Sequence, residues 1–161
     1  QEWNLETVYK IKYSKIFSAL LVLILFYALS VATILISLSL FLISLSAVTI
    51  INLPTLIILI NHLKQSQHQT LKFYRRNNEF KLISNQKQKL YNKENIEKLI
   101  FHHSKTSRAP WGDFDYTEFV FKDETSFIIS SFIIDSWALM DEFSYKDKEI
   151  VTEWFQTIKD N

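Results

Sequence analysis

Residues 16–63 read IFSALLVLILFYALSVATILISLSLFLISLSAVTIINLPTLIILINHL and contain no Lys, Arg, Asp or Glu. A bilayer's hydrocarbon core is about 30 Å thick, and a helix crossing it needs about 20 apolar residues. Forty-eight residues are too many for one span and suit two spans joined by a tight turn. The stretch therefore predicts a membrane helical hairpin with about a hundred residues of more polar chain behind it. A secretory signal fits poorly, because its apolar region runs only about 7–15 residues.

Length places the first helix at about Lys15–Ile36 and the second at about Leu40–His62, with the turn near Ser37-Leu38-Ser39. Pro54 inside the second helix removes a backbone donor and predicts a kink near Asn52, where Asn52 and Thr55 can satisfy freed carbonyls. Ser30, Ser37 and Ser44 recur every seven residues, and Ala28 and Ala32 lie four apart. Small residues at such spacing let two helices pack closely. Lys10, Lys12 and Lys15 precede the hairpin, and Lys64, Lys72, Arg75 and Arg76 follow it. The positive-inside rule then puts both termini in the cytoplasm, so the expected location is a cytoplasmic membrane, the inner one in a bacterium.

Net charge is +1, but the charges are divided. Residues 64–108 hold eleven Lys or Arg against three Glu, a net +8; residues 109–161 hold four Lys against twelve acids, a net −8. The two halves either attract each other across one domain or give the basic half an anionic lipid or acidic partner. The chain has no Cys, which removes thiolate chemistry, and a single Gly, Gly112, which removes Gly-rich phosphate cradles.

Residues 1–15 form an amphipathic lead in which Tyr9, Ile11 and Tyr13 alternate with Lys10 and Lys12, as in a strand. Trp3, Tyr9 and Tyr13 also suit the headgroup level. Behind the hairpin, extended runs are expected at Leu71–Arg75, Glu79–Leu82, Lys89–Tyr91 and Leu99–His103, with an Arg76-Asn77-Asn78 turn and one helical turn capped by Asn92. Residues 104–112 read as a loop. Phe114–Lys122 and Ser126–Ile134 flank the turn Asp123-Glu124-Thr125, a β-hairpin signal. Ile150, Val151, Trp154, Phe155 and Ile158 fall on one helical stripe, with Ser144 and Asp147 spaced as a capping box. This predicts a C-terminal amphipathic helix that closes the sheet core.

The segment Ala109–Asp135, APWGDFDYTEFVFKDETSFIISSFIID, resembles the P-W-x-D-Y segment, strand, charged turn and second strand of bacterial membrane-anchored PH-like proteins, and Asn95–Leu99 resembles the segment preceding it. Glu124 stands where Gly is usual in that family, and the chain departs from the pattern from Ser136 onward. The resemblance implies an α+β domain behind the hairpin: a seven-stranded, bent, partly closed antiparallel sheet plugged by a helix. The domains expected are thus the lead 1–15, the hairpin 16–63 and a cytoplasmic PH-like domain 64–161.

Catalytic chemistry finds little support. His102 and His103 are adjacent and, in a strand, point to opposite faces. His62 and His68 stand apart from them, so all four read as surface histidines without a metal. Asp113 and Asp115 read as solvated loop acids, and Ser130-Ser131 lacks a nucleophile elbow. No catalytic set, cofactor site or small-molecule substrate is indicated, and a nucleic-acid role lacks the interleaved aromatics it needs. The candidate binding residues are Lys72, Arg75, Arg76, Lys81, Lys87 and Lys89, with Trp111 as an aromatic anchor. The expectation is a non-enzymatic binding or scaffolding protein. Its partners would be anionic lipid, a membrane protein or copies of itself. The alternative is a small accessory or immunity-type subunit that recognises a larger complex through its hairpin.

Overall fold

The computed structural model describes residues 6–84, 87–106, 111–144 and 146–158. Trp3, Pro110 with the rest of 107–110, and the Lys87 side chain lie outside the described residues. The first described element is strand β1 (Glu6–Tyr9), followed by helix α1 (Tyr13–Ala32). A 3-10 turn at Thr33–Leu35 leads into helix α2 (Leu38–Ser66). Ser37 caps α2, its hydroxyl accepting the Leu40 amide at 3.1 Å. Both helices are long and apolar enough to cross a bilayer.

The small residues of the hairpin face one another. Ser30 Oγ lies 2.9 Å from Ser44 Oγ, and Thr33 Oγ1 lies 3.0 Å from the same atom. Pro54 lies within α2. Asn52 Nδ2 donates to the Val48 carbonyl at 2.8 Å, but Asn52 Oδ1 and Thr55 Oγ1 are buried without partners. The carbonyl that Pro54 frees is that of Ile50, four residues back, so neither side chain supplies the expected compensation.

Beyond α2 come β2 (Gln69–Tyr74), β3 (Glu79–Ser84) and β4 (Lys87–Asn92), which with β1 form an antiparallel sheet of order β1-β2-β3-β4. Asn78 sits at φ 55°, the left-handed turn position an Asn tolerates. A 3-10 turn at Lys93–Asn95, capped by Asn92, leads to β5 (Ile96–Ser104). Then follow β6 (Tyr116–Phe121), β7 (Ser126–Ser130), helix α3 (Ser136–Glu142) and β8 (Asp147–Glu153). The second sheet has the order β7-β6-β5-β8. The β6–β7 turn places Glu124 at φ 62°, which explains why Gly suits that position. Asp123 supports the turn by accepting from the Thr125 amide and hydroxyl at 3.1 and 2.5 Å.

The C-terminal helix is not there. Ile150 and Val151 instead belong to β8, which runs parallel to β5 from Lys98↔Asp147 to Ser104↔Glu153, and Trp154, Phe155 and Ile158 follow it without regular structure. Three consecutive β-branched residues, Ile150-Val151-Thr152, lower helix propensity, and β5 would otherwise be a sheet edge. Lys98 and Glu149 add an ion pair at 2.8 Å across the two strands. The helix that closes the core is instead α3, through Leu139 and, just beyond it, Phe143.

The main core lies between the two sheets. Leu71, Phe73 and Phe80 from the first face Leu99, Phe101 and Phe119 from the second, all fully buried. Phe80 is the hub, with ring centroids 5.3–6.3 Å from Phe73, Tyr91, Phe119, Phe121, Phe127 and Phe143. A second cluster joins the helices to the sheets: Ile16 of α1 and Ile58 and Leu59 of α2 pack with Phe114 and Phe132. Removing a core Phe costs about 3–5 kcal/mol. Phe80→Ala should therefore destabilise the fold by about that amount, read as a lowered denaturation midpoint in detergent. Exposed Leu90→Ala should change it little.

Candidate binding site at the junction of helices and sheets

The junction is held by polar contacts around the apolar cluster. The Lys12 amide donates to the Phe132 carbonyl at 2.6 Å. Asp135 receives Lys12 Nζ at 2.7 Å and also pairs with Lys15. Burial would raise the Asp135 pKa, but hydrogen bonds and charge from the two lysines outweigh it and hold the carboxyl below its ordinary value. On the other side, Asn61 clasps residue 158 at both ends: Nδ2 donates to the Ile158 carbonyl at 3.0 Å and Oδ1 accepts its amide at 2.6 Å.

His62 is fully buried, which corrects the expectation of a surface histidine. Its Nε2 lies 2.7 Å from the Gln156 carbonyl and its Nδ1 2.9 Å from Ser130 Oγ. The carbonyl can only accept, so the ring proton sits on Nε2, leaving Nδ1 to accept from the serine. Ser130 Oγ in turn accepts the Phe132 amide at 3.2 Å. Ser130 Oγ thus links His62 to the backbone of the Phe132 segment.

Neither of the adjacent histidines of β5 is freely exposed. His102 stacks on Tyr116 with centroids 4.2 Å apart, between Glu118 and Glu153. Burial lowers its pKa against the pull of those carboxylates, and burial likewise raises that of Tyr116. His103 Nδ1 meets Asp115 Oδ2 at 2.8 Å, and this hydrogen bond raises the His103 pKa. Asp115 is thus engaged by a histidine. Asp113 is exposed and has no side-chain partner among the described residues. No cluster of three or more metal-ligating side chains occurs among the described residues.

The basic candidates are spread along the first sheet. Lys72 and Lys81 oppose each other across β2 and β3, on the face turned away from Leu71 and Phe73. Lys72 is paired with Glu6 at 2.8 Å, which raises its pKa. Arg75 is paired with Glu142 at 3.1 Å, while Arg76 is exposed in the 3-10 turn after β2. Both arginines lie at the end of β2 remote from α2, about 20 Å along the strand. Lys89 sits opposite core-facing Leu82, with its ammonium 4.8 Å from the Tyr91 ring centroid; Lys87 opens β4 opposite Ser84. Trp111 lies elsewhere, donating Nε1 to the Trp154 carbonyl at 2.9 Å, its ring 5.5 Å from Phe155.

Sequence reasoning missed Lys93. It is 5 % exposed and meets Glu142 at 2.5 Å, with its ammonium over Phe73 and Phe143 at 5.2 and 5.4 Å. With Arg75, it ties α3 to the first sheet, so part of the divided charge is spent inside the domain. Also unforeseen is a cavity of about 490 Å3 between α1, α2 and the Asp113–Asp115 and Ser131–Trp137 segments.

A PH-domain family model matches residues 3–141, and the chain belongs to that family. The match begins in the lead, runs through both helices and ends within α3. No curated protein and no solved structure matches the chain.

Two outcomes follow from the charges. Glu142→Gln leaves Lys93 buried and uncompensated and should cost about 3–5 kcal/mol, measured by denaturation at pH 7. The His103 pKa is raised above 6.5 on folding. Its contribution is complete below about pH 6.5 and disappears as pH rises through the higher folded value. His103→Gln should thus destabilise the protein at pH 5.5 and make progressively less difference above neutrality, read from paired denaturation curves.

Proposed function

We propose that this chain is a non-enzymatic, membrane-anchored PH-like binding or scaffolding protein. The carrying observation is the docking of a PH-family double sheet onto two apolar helices through Ile16, Ile58, Leu59, Phe114 and Phe132. PH-like domains present surfaces for lipids, peptides or neighbouring subunits, and the fold alone does not choose among them. A bilayer around the hairpin supports the choice of a partner within or on the same membrane. The flanking lysines favour cytoplasmic termini.

The contact surface we assign is the outer face and turn of the first sheet, around Arg76, Lys81 and exposed Leu90, with Lys72 beside them. Lys89 stands on the other face of β4, opposite core-facing Leu82 and over the Tyr91 ring, and so lies outside this surface. Arg75 is already committed to Glu142, which makes it a support for this surface more than a free anchor; Trp111 is committed to Trp154 and lies apart from this surface. A membrane protein with an acidic cytoplasmic face fits it, as does anionic lipid. Tethering raises the local concentration of such partners, so weak contacts suffice.

The test is co-purification of the full chain from native membranes. Arg76→Gln with Lys81→Gln should reduce partner recovery several-fold. Exchanging the exposed hairpin section 24–53 for an unrelated apolar hairpin should leave recovery unchanged. The reverse pattern would replace this reading with the accessory-subunit one, in which the hairpin recognises a larger complex.

A further inference from the structure

The cavity at the junction combines three features. It has about 490 Å3 of space, within the range of small-ligand sites, about 300–1,000 Å3. One wall is apolar and continuous with the outer face of α1: Ala19, Val22 and Leu23 line it, and Val22 is 43 % exposed. The opposite wall carries polar atoms that the protein leaves unpaired. Thr55 Oγ1 and Ser136 Oγ, in residues 1 % and 3 % exposed, have no hydrogen-bond partner, and neither has the buried Asp115 Oδ1.

Buried polar atoms without partners are rare and costly, and several lining one cavity point to an absent ligand. The chemistry of the free groups selects it. Two are carboxylate oxygens, which can only accept: Asp115 Oδ1, left free while Oδ2 holds His103, and exposed Asp113; the other two are hydroxyls. The cation at the mouth, Lys15, is already paired with Asp135. The site therefore asks for a donor of several N–H bonds with positive charge, attached to an apolar body.

We propose that this cavity binds the primary ammonium headgroup of a membrane phospholipid. The ammonium lies between Asp113 and Asp115, within reach of Thr55 and Ser136, and an acyl chain follows Ala19 and Val22 along α1. The assignment rests on the membrane reading above, because the apolar wall is useful only where it faces lipid. Charge selects the headgroup against an anionic lipid. The N–H donors select it against choline, which has the same charge and none to give.

The test uses the full chain, delipidated in detergent and offered equal amounts of phosphatidylethanolamine, phosphatidylcholine and phosphatidylglycerol with matched acyl chains, with retained lipid read by native mass spectrometry. Phosphatidylethanolamine should be retained about tenfold over the other two, the scale of a lost hydrogen bond to a charged group. Asp113→Asn should reduce that preference; the side chain is exposed and without a partner among the described residues, so the fold does not depend on it. Ser18→Trp, at the exposed mouth, should block retention. Equal retention of the three lipids, preference for phosphatidylglycerol, or an undiminished preference in both variants overturns the site. Recovery of the protein in the supernatant after carbonate washing overturns the membrane reading itself, and the site with it.

Discussion

The structure depends on one geometric constraint: two helices must leave and re-enter a sheet between neighbouring strands. β1 and β2 pair directly, Tyr9 opposite Leu71, yet the whole hairpin lies between them in the chain. Paired strands lie about 4.8 Å apart, whereas packed helices lie about 8–10 Å apart. The mismatch is absorbed in the short segments 10–12 and 67–68. These carry backbone anchors: the Lys12 amide bonds to Phe132, and the Gln67 amide continues the helical ladder to Leu63. Without such anchors, closing a loop of this length would oppose the β1–β2 pairing. The Ile16, Ile58, Leu59, Phe114 and Phe132 cluster supplies the apolar burial that makes the closure favourable.

That constraint explains what lies at the junction. His62, Asn61 and Gln69 are polar residues at the helix–sheet boundary, and each bonds to backbone of the second sheet or the chain after it. His62 reaches Gln156, Asn61 reaches Ile158, and Gln69 Nε2 donates to the Ile128 carbonyl at 3.1 Å. These bonds fix the rotation of the hairpin relative to the sheets more tightly than apolar packing, which has no direction. The same boundary holds the unpaired Thr55 and Ser136 hydroxyls.

The features legible in the sequence were local ones. The absence of charge over residues 16–63 marked both helices, and the alternation around Phe80 and the Asp123-Glu124-Thr125 turn marked strands. What stayed hidden depended on distant partners. The stripe Ile150–Ile158 has helical spacing, and only the open edge of β5 makes part of it a strand. A count of lysines and arginines cannot show that Lys72 meets Glu6 or that Arg75 and Lys93 share Glu142. His62 looked solvent-exposed because its acceptor, Gln156, lies 94 residues away. The cavity was invisible for the same reason: its walls come from four separate stretches of chain.

Under the membrane reading, the docked hairpin also limits what the domain can reach. α1 and its 3-10 extension together measure about 36 Å, against a hydrocarbon core of about 30 Å. If the turn at Ser37 reaches the far boundary, the near boundary falls around Phe17–Ala19. Exposed Trp137 then lies at the level where amphipathic rings concentrate. There is no flexible linker at this level, since β1 and β2 run directly into the helices. The sheets therefore keep one orientation to the bilayer, and a partner must come to the first sheet's outer face. A long tether gains reach at the cost of local concentration. This arrangement gives up reach, which suits contact with something already fixed in the same membrane.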